Sequence, residues 1–217
     1  MASRAEEAPV KAGRKSGAQA ILKAAEKLFG VYGIDGVSIR QINIAAGMAN
    51  NSAVTYHFGD KMGLLRAILM WRKPQLMKAA AVEYARVEAE GRLNDPVGLF
   101  EIMMRPYLTI VDEEGHHVHA AFMQHIVRWR EGRSLRVSIW DSKDPALKAL
   151  TLLRKSLPDL PPELVSFRLR VSTVAYFDAL MEWDRGPVDP KFPQYGLEDM
   201  VREMFGLAGA NFARPPV

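Results

Sequence analysis

Two groups of residues in this 217-residue chain have the types and spacing to do chemistry. The first is a run of small polar side chains, Asn50, Asn51, Ser52 and Thr55, followed at once by Tyr56 and His57 and then by Lys61. Small amides and hydroxyls can approach base edges or phosphates without blocking a groove, and donors at a helix start favour anions. Ser38 and Arg40, just upstream, are candidates for the same polyanion contact. The second group is His116, His117, His119 and His125. Imidazoles are common metal ligands, but no Cys or acidic ligand accompanies these at a characteristic spacing, so they read as a helix start beside a loop. No metal and no cofactor is expected.

A third set is apolar. Met103, Met104, Tyr107, Phe122, Met123 and Trp129 could line an adaptable cavity for a small molecule, Met being flexible and Tyr and Trp offering polar tips. Each of them could equally be plain core. For catalysis the chain is poor. Its lack of cysteine excludes disulfides, thiolate metal sites and a cysteine nucleophile. No phosphate-cradling Gly-rich loop and no nucleophile elbow is present either.

The elements that must carry these residues follow from apolar spacing. Ile21, Leu22, Ala25, Leu28, Phe29 and Tyr32 form the stripe of an amphipathic helix that stops at Gly33. Ser38 and Gln41 form a capping box that starts a second helix, and Gly47 supplies the left-handed residue that ends it. Asn50, Asn51 or Ser52 can cap a third helix carrying Val54 and Phe58, and Asp60 can cap a fourth. A short helix, a tight turn and a second short helix are the parts of a helix-turn-helix, whose second helix enters the major groove. The helical pattern runs on from Leu64 to about residue 90, where Pro74 either kinks one helix or divides two. Further helices are expected near 96–112, 116–131, 145–157, 162–185 and 197–213, with a loop around 185–195.

Charge is distributed unevenly. Residues 1–73 hold 11 Lys or Arg against 5 Asp or Glu, whereas residues 74–217 hold 18 against 20. The excess positive charge lies at the helix-turn-helix end, where a polyanion would be drawn first. Residues 1–16 lack apolar periodicity and read as a mobile basic arm with Lys11, Arg14 and Lys15. No stretch has signal-peptide character or approaches the roughly 20 apolar residues that span a bilayer. The expectation is a soluble, cytoplasmic protein with no membrane partner.

The run from Ile21 to Leu65 resembles the DNA-binding domain of TetR-type (TetR/AcrR) repressors. Ile21-Leu22, Ala24-Ala25, Leu28-Phe29, Gly33, Ser38, Ile42, Ala46-Gly47, Tyr56-His57-Phe58-Gly59, Lys61 and Leu64-Leu65 keep that family's order and nearly its spacing. The interval from Gly47 to Phe58 is one residue longer than usual. Thr55 stands where many members carry an aromatic, which implies a contact weakened or replaced. The resemblance implies an all-α protein: an arm (1–16), a helix-turn-helix domain (17–62) and a larger helical ligand-binding and dimerisation domain (63–217). It further implies that Tyr56, His57 and Lys61 contact phosphates and that the third helix reads bases of double-stranded operator DNA. It also implies a homodimer through the last two helices. Leu164, Phe167, Leu169, Val171, Val174, Ala175, Leu180 and Met181, then Leu197, Met200, Val201, Met204 and Phe205, are dimer candidates.

Two function classes follow. One is a ligand-responsive repressor, not an enzyme, in which a small molecule biases a dimer whose recognition helices sit about 34 Å apart. The other is a helical carrier or enzyme with an incidental helix-turn-helix. Salt-dependent DNA binding separates them.

Overall fold

A computed structural model describes residues 7–50, 52–139, 141–187 and 195–216, with side chains from Gly17 onward. The helices are α1 (Glu7–Tyr32), α2 (Ile39–Ala45), α3 (Ala53–Phe58), α4 (Lys61–Ala89), α5 (Pro96–Met104), α6 (Val118–Arg128), α7 (Gly132–Val137), α8 (Pro145–Ser156), α9 (Pro162–Arg185) and α10 (Leu197–Ala213). A 3-10 turn, Arg105–Thr109, follows α5, and no strand occurs among the described residues. The all-helical reading is correct.

The helix ends have local causes. Gln41 N–H donates to Ser38 Oγ (3.3 Å) and Ser38 N–H donates to Gln41 Oε1 (2.8 Å), which completes both halves of the capping box. Gly47 follows at φ +66°, a left-handed conformation open to glycine at no steric cost. Asp60 Oδ1 accepts from Gly63 N–H (2.7 Å) at the start of α4. Asp95 and Asp144 cap α5 and α8 in the same way, each followed by a proline at the first helical position, where a missing N–H costs nothing.

Residues 7–16, the end of α5 and α7 (Gly132–Val137), which lies beyond the helix expected at 116–131, differ from expectation, while at Pro74 one of the two open alternatives is met. Residues 7–16 continue α1 backwards rather than forming an arm, while residues 1–6 and the side chains of Lys11, Arg14 and Lys15 lie outside the described set. Ala, Lys, Glu and Arg favour helix without needing a buried face, so missing periodicity does not exclude a helix there. Pro74 lies inside an unbroken α4 of 29 residues. The carbonyl it leaves without a partner belongs to Met70, and both residues are exposed, so water can serve that carbonyl. Pro106 lacks the N–H that would continue α5, and the chain tightens there into the 3-10 turn.

The core begins in the N-terminal head, where Ile21, Ala25, Phe29, Val37, Ile42, Val54, Leu64 and Leu65 are buried together. It continues through α1 and α6, whose Phe29 and Phe122 rings lie 6.2 Å apart. A Cβ on Gly30 would sit 2.9 Å from Ala121 Cβ and 3.2 Å from Phe122 N, so these two helices touch backbone to backbone. In the larger lobe α5 is buried along Gly98–Met104, and Phe100 packs edge-on against Tyr176, Phe205 and Phe212. The apolar residues of α9 and α10 divide between two faces. Leu180, Met181, Val201 and Phe205 enter the chain's own core, whereas Phe167 (53%), Val171 (43%) and Leu207 (54%) are exposed.

Candidate nucleic-acid interface and ligand cavity

The helix-turn-helix is tied internally by a residue the sequence reading did not single out. Asn43, fully buried on α2, accepts the Val54 amide on its Oδ1 at 3.1 Å. That amide is one of the donors a helix N-terminus leaves unsatisfied, so α2 holds the start of α3 by a buried hydrogen bond. The signal available was an Asn beside inward-facing Ile42, which reads as polar surface until the turn is built.

Outside this anchor the described candidate residues are exposed or half-buried. Ser38, Arg40, Asn50, Ser52, Thr55 and Tyr56 are exposed, and His57 and Lys61 are half-buried; Asn51 lies outside the described residues. Asn50 Oδ1 accepts both the amide (2.9 Å) and the hydroxyl (2.7 Å) of Ser52, which orders the segment before α3. Ser52 occupies the N-cap position but makes no side-chain cap bond. Tyr56 and His57 stack edge to face with centroids 5.1 Å apart. Lys61 Nζ lies 5.7 Å above the buried Phe29 ring, a cation–π contact that places an ammonium at the end of α3.

In the larger lobe a cavity of about 230 Å³ is lined by residues of α4, α5, α6, α7, α8 and α9 together with Tyr107 of the 3-10 turn. Met103, Met104, Tyr107 and Met123 line it; Phe122 and Trp129 do not. Phe122 neighbours Met123, but successive helical residues point about 100° apart, which turns Phe122 toward Phe29 on α1. Trp129 follows the end of α6 in extended backbone and lines a separate cleft with Tyr32, His125 and Arg130. Sequence reading missed Lys73, Arg136 and His119 at the cavity. Lys73 Nζ donates to the Ile139 carbonyl (2.7 Å) and lies 3.8 Å from Asp141. Arg136 Nε donates to the Gly132 carbonyl at 3.3 Å. Burial pulls the Arg136 guanidinium below its ordinary value and pushes the Tyr107 phenol up to about 12.

The histidines have separate partners. His117 donates its backbone N–H to Asp184 (2.7 Å) and pairs through Nδ1 with the same carboxylate (2.7 Å). His125 Nε2 donates to the Gly30 carbonyl of α1 (3.2 Å). His116 stands with Asp112 and Glu114, where Lys27 Nζ lies 3.2 and 3.5 Å from the two carboxylates and supplies positive charge. His119, fully buried, bonds through Nδ1 to Glu26 Oε1 of α1 at 2.7 Å, and Arg72 of α4 chelates the same carboxylate. Burial pushes the Glu26 carboxyl up, but the hydrogen bonds from His119 and Arg72 outweigh it and hold it below the usual range. Burial likewise holds His119 below its ordinary value, against the opposing pull of Glu26. His119 therefore joins the cavity wall to a helix of the head.

Residues 21–68 match the family model described as bacterial regulatory proteins, tetR family. Two solved structures share the fold over most of the chain. One, from Shewanella sp. PV-4 and assigned to the tetR family of transcription regulators, is 19% identical with a TM-score of 0.58, covering 89% of this chain and 96% of its own. The other, a TetR family transcription regulator from Marinobacter aquaeolei VT8, is 16% identical with a TM-score of 0.58, covering 93% of this chain and 97% of its own. Among curated protein sequences nothing matches this chain.

Proposed function

We propose that this chain, a TetR-family transcriptional regulator by its N-terminal domain and its fold, represses transcription by holding operator DNA and is released from it by a small molecule. The observation that carries the reading is the exposed polar surface of α3 and its flanks, anchored from below by the Asn43–Val54 hydrogen bond. In this reading residues 17–62 are the DNA-binding head and residues 63–217 the sensor and dimerisation domain. Tyr56, His57 and Lys61 contact phosphates. Asn50, Asn51, Ser52 and Thr55 face base edges, with Ser38 and Arg40 at the rim. Phosphate contacts set register and salt dependence, and base-edge contacts set sequence preference.

Two copies join through α9 and α10, for which the exposed Phe167, Val171 and Leu207 are the natural apolar contact. The cavity beside Met103, Met104, Tyr107 and Met123 receives the effector. Its wall residue His119 bonds to Glu26 on α1, so filling the cavity can bias the head between two arrangements. The protein acts in the cytoplasm, where its operator is, and performs no catalytic step. Among the described residues no helix is long and apolar enough to cross a membrane.

The experiment is a titration of the protein into a fluorescent duplex from its own upstream region, against an unrelated duplex, at two salt concentrations. Tight binding selective for the upstream duplex, weakening steeply with salt, is expected. Failure to bind either duplex at low salt would overturn the reading and favour the carrier alternative.

A further inference from the structure

The polar atoms of the cavity wall are not equally free. Lys73 is held by the Ile139 carbonyl and lies near Asp141, and Asp144 accepts the Ala146 amide as the cap of α8. Two groups remain. Arg136 makes a single 3.3 Å bond, from Nε to the Gly132 carbonyl, and among the described residues no carboxylate lies within ion-pair distance of it. The Nε2 of fully buried His119 has no hydrogen-bond partner among the described residues. An orphaned buried ring nitrogen is costly unless a ligand satisfies it, and the half-buried Arg136 guanidinium on the same cavity wall keeps donors free for one.

The chemistry of each group states what it accepts. A guanidinium only donates, and its fork suits a carboxylate held by two parallel bonds. His119 has the opposite polarity. Its Nδ1 faces the Glu26 carboxylate, which accepts only, so the ring proton sits on Nδ1 and Nε2 offers a lone pair. A carboxylate at Nε2 would meet that lone pair, whereas a hydroxyl would donate to it. Apart from the held Lys73 and Asp144 and the hydroxyls of Tyr107 and Thr173, the rest of the wall is apolar and partly flat. Tyr107 stacks on His119 at 5.8 Å and meets Phe177 edge-on at 4.9 Å, with Met103, Met104 and Met123 around them. A dry cavity of about 150 Å³ holds benzene, so the present volume of about 230 Å³ suits a body on the order of ten non-hydrogen atoms.

We propose that the cavity takes a compact hydroxy acid: a carboxylate on Arg136, a flat apolar body against Tyr107, Phe177 and the methionines, and a hydroxyl donating to His119 Nε2. The assignment rests on the reading of this cavity as the effector site and names the effector's class. Neutral phenols and amines are the excluded classes, since the first leave Arg136 unpaired and the second place a cation beside it.

The test is isothermal titration calorimetry on the full chain with para-hydroxyphenylpropionate, phenylpropionate, para-propylphenol and tyramine. The hydroxy acid should bind tightest, with loss of either polar group weakening binding by about tenfold or more and tyramine weakest. Arg136→Gln should abolish the preference for the acid over the phenol, while Arg136→Lys keeps part of it; a thermal melt of each variant shows that the fold is retained. Equal binding of phenol and acid, binding of none of the four, or an unchanged preference in a folded Arg136→Gln protein would overturn the proposal. The calorimetry contains no DNA, so failure here leaves the repressor reading standing. Acid binding that never releases the upstream duplex would instead sink the effector role and keep the binding site.

Discussion

Lys61 and His119 represent the two kinds of residue on which regulation depends in this reading, one facing DNA and one facing the cavity. Lys61 was legible in the sequence because its neighbours Tyr56, His57, Phe58 and Gly59 surround it with a recognisable pattern. In a phosphate role, Lys61→Ala should weaken binding to all duplexes alike and lower the salt slope by about 0.9 for each phosphate no longer neutralised, about twice that in a dimer. Anisotropy titrations across salt would read this, and an unaltered slope would remove Lys61 from the phosphates. His119 could not be assigned from sequence, because its partners Glu26 and Arg72 lie far away in the chain and only packing joins them. In the folded protein Glu26 and His119 both titrate below their ordinary values. The unfolded chain therefore binds more protons, and stability falls as pH drops, beginning just below about 6.5 for His119 and continuing through the carboxylate range for Glu26. Thermal midpoints of His119→Gln should lose most of the dependence between about pH 5 and pH 6.5. A variant with the parent's full slope there would show that His119 is not held neutral.

At the scale of elements, helix starts announced themselves more clearly than helix faces. The Ser38–Gln41 box, Gly47 and Asp60 act over a few residues, so sequence reading placed them directly, and the Asp-Pro pairs that start α5 and α8 act over the same short range. Periodicity reports burial, and it therefore missed the first turns of α1 and could not decide whether Pro74 divides α4. The same limit explains the cavity: Met123 and Phe122 are neighbours in sequence, yet one lines it and the other joins α1 to α6. The packing of those two helices depends on Gly30, where a Cβ would meet Ala121 and the Phe122 backbone. Gly30→Val should force them apart, lowering stability by about 1–3 kcal/mol and weakening DNA binding without changing the salt slope. Calorimetric melts and binding at two salts would show it, and a Gly30→Val protein as stable as the parent would mean that the interface gives way freely.

For the whole molecule, one long helix and one buried triad connect the two lobes. α4 begins at Lys61 beside the candidate DNA surface and ends under α5, and the Glu26–His119–Arg72 cluster ties α1, α4 and α6 together. Regulation requires in addition that two heads be spaced for DNA, which the chain achieves in this reading by pairing α9 and α10 of two copies. Phe167→Glu with Val171→Glu should then yield monomers in sedimentation and abolish cooperative operator binding, since both side chains are exposed in the single chain and charge there costs nothing until two copies meet. Whether a dimer grips an operator is read most directly by a hydroxyl-radical footprint of the parent protein on its upstream duplex. Two protected patches centred one helical turn apart, about 34 Å along the duplex, are expected, and both should vanish in the Phe167→Glu, Val171→Glu protein. A single patch, or protection that survives in a monomer, would contradict the dimeric repressor.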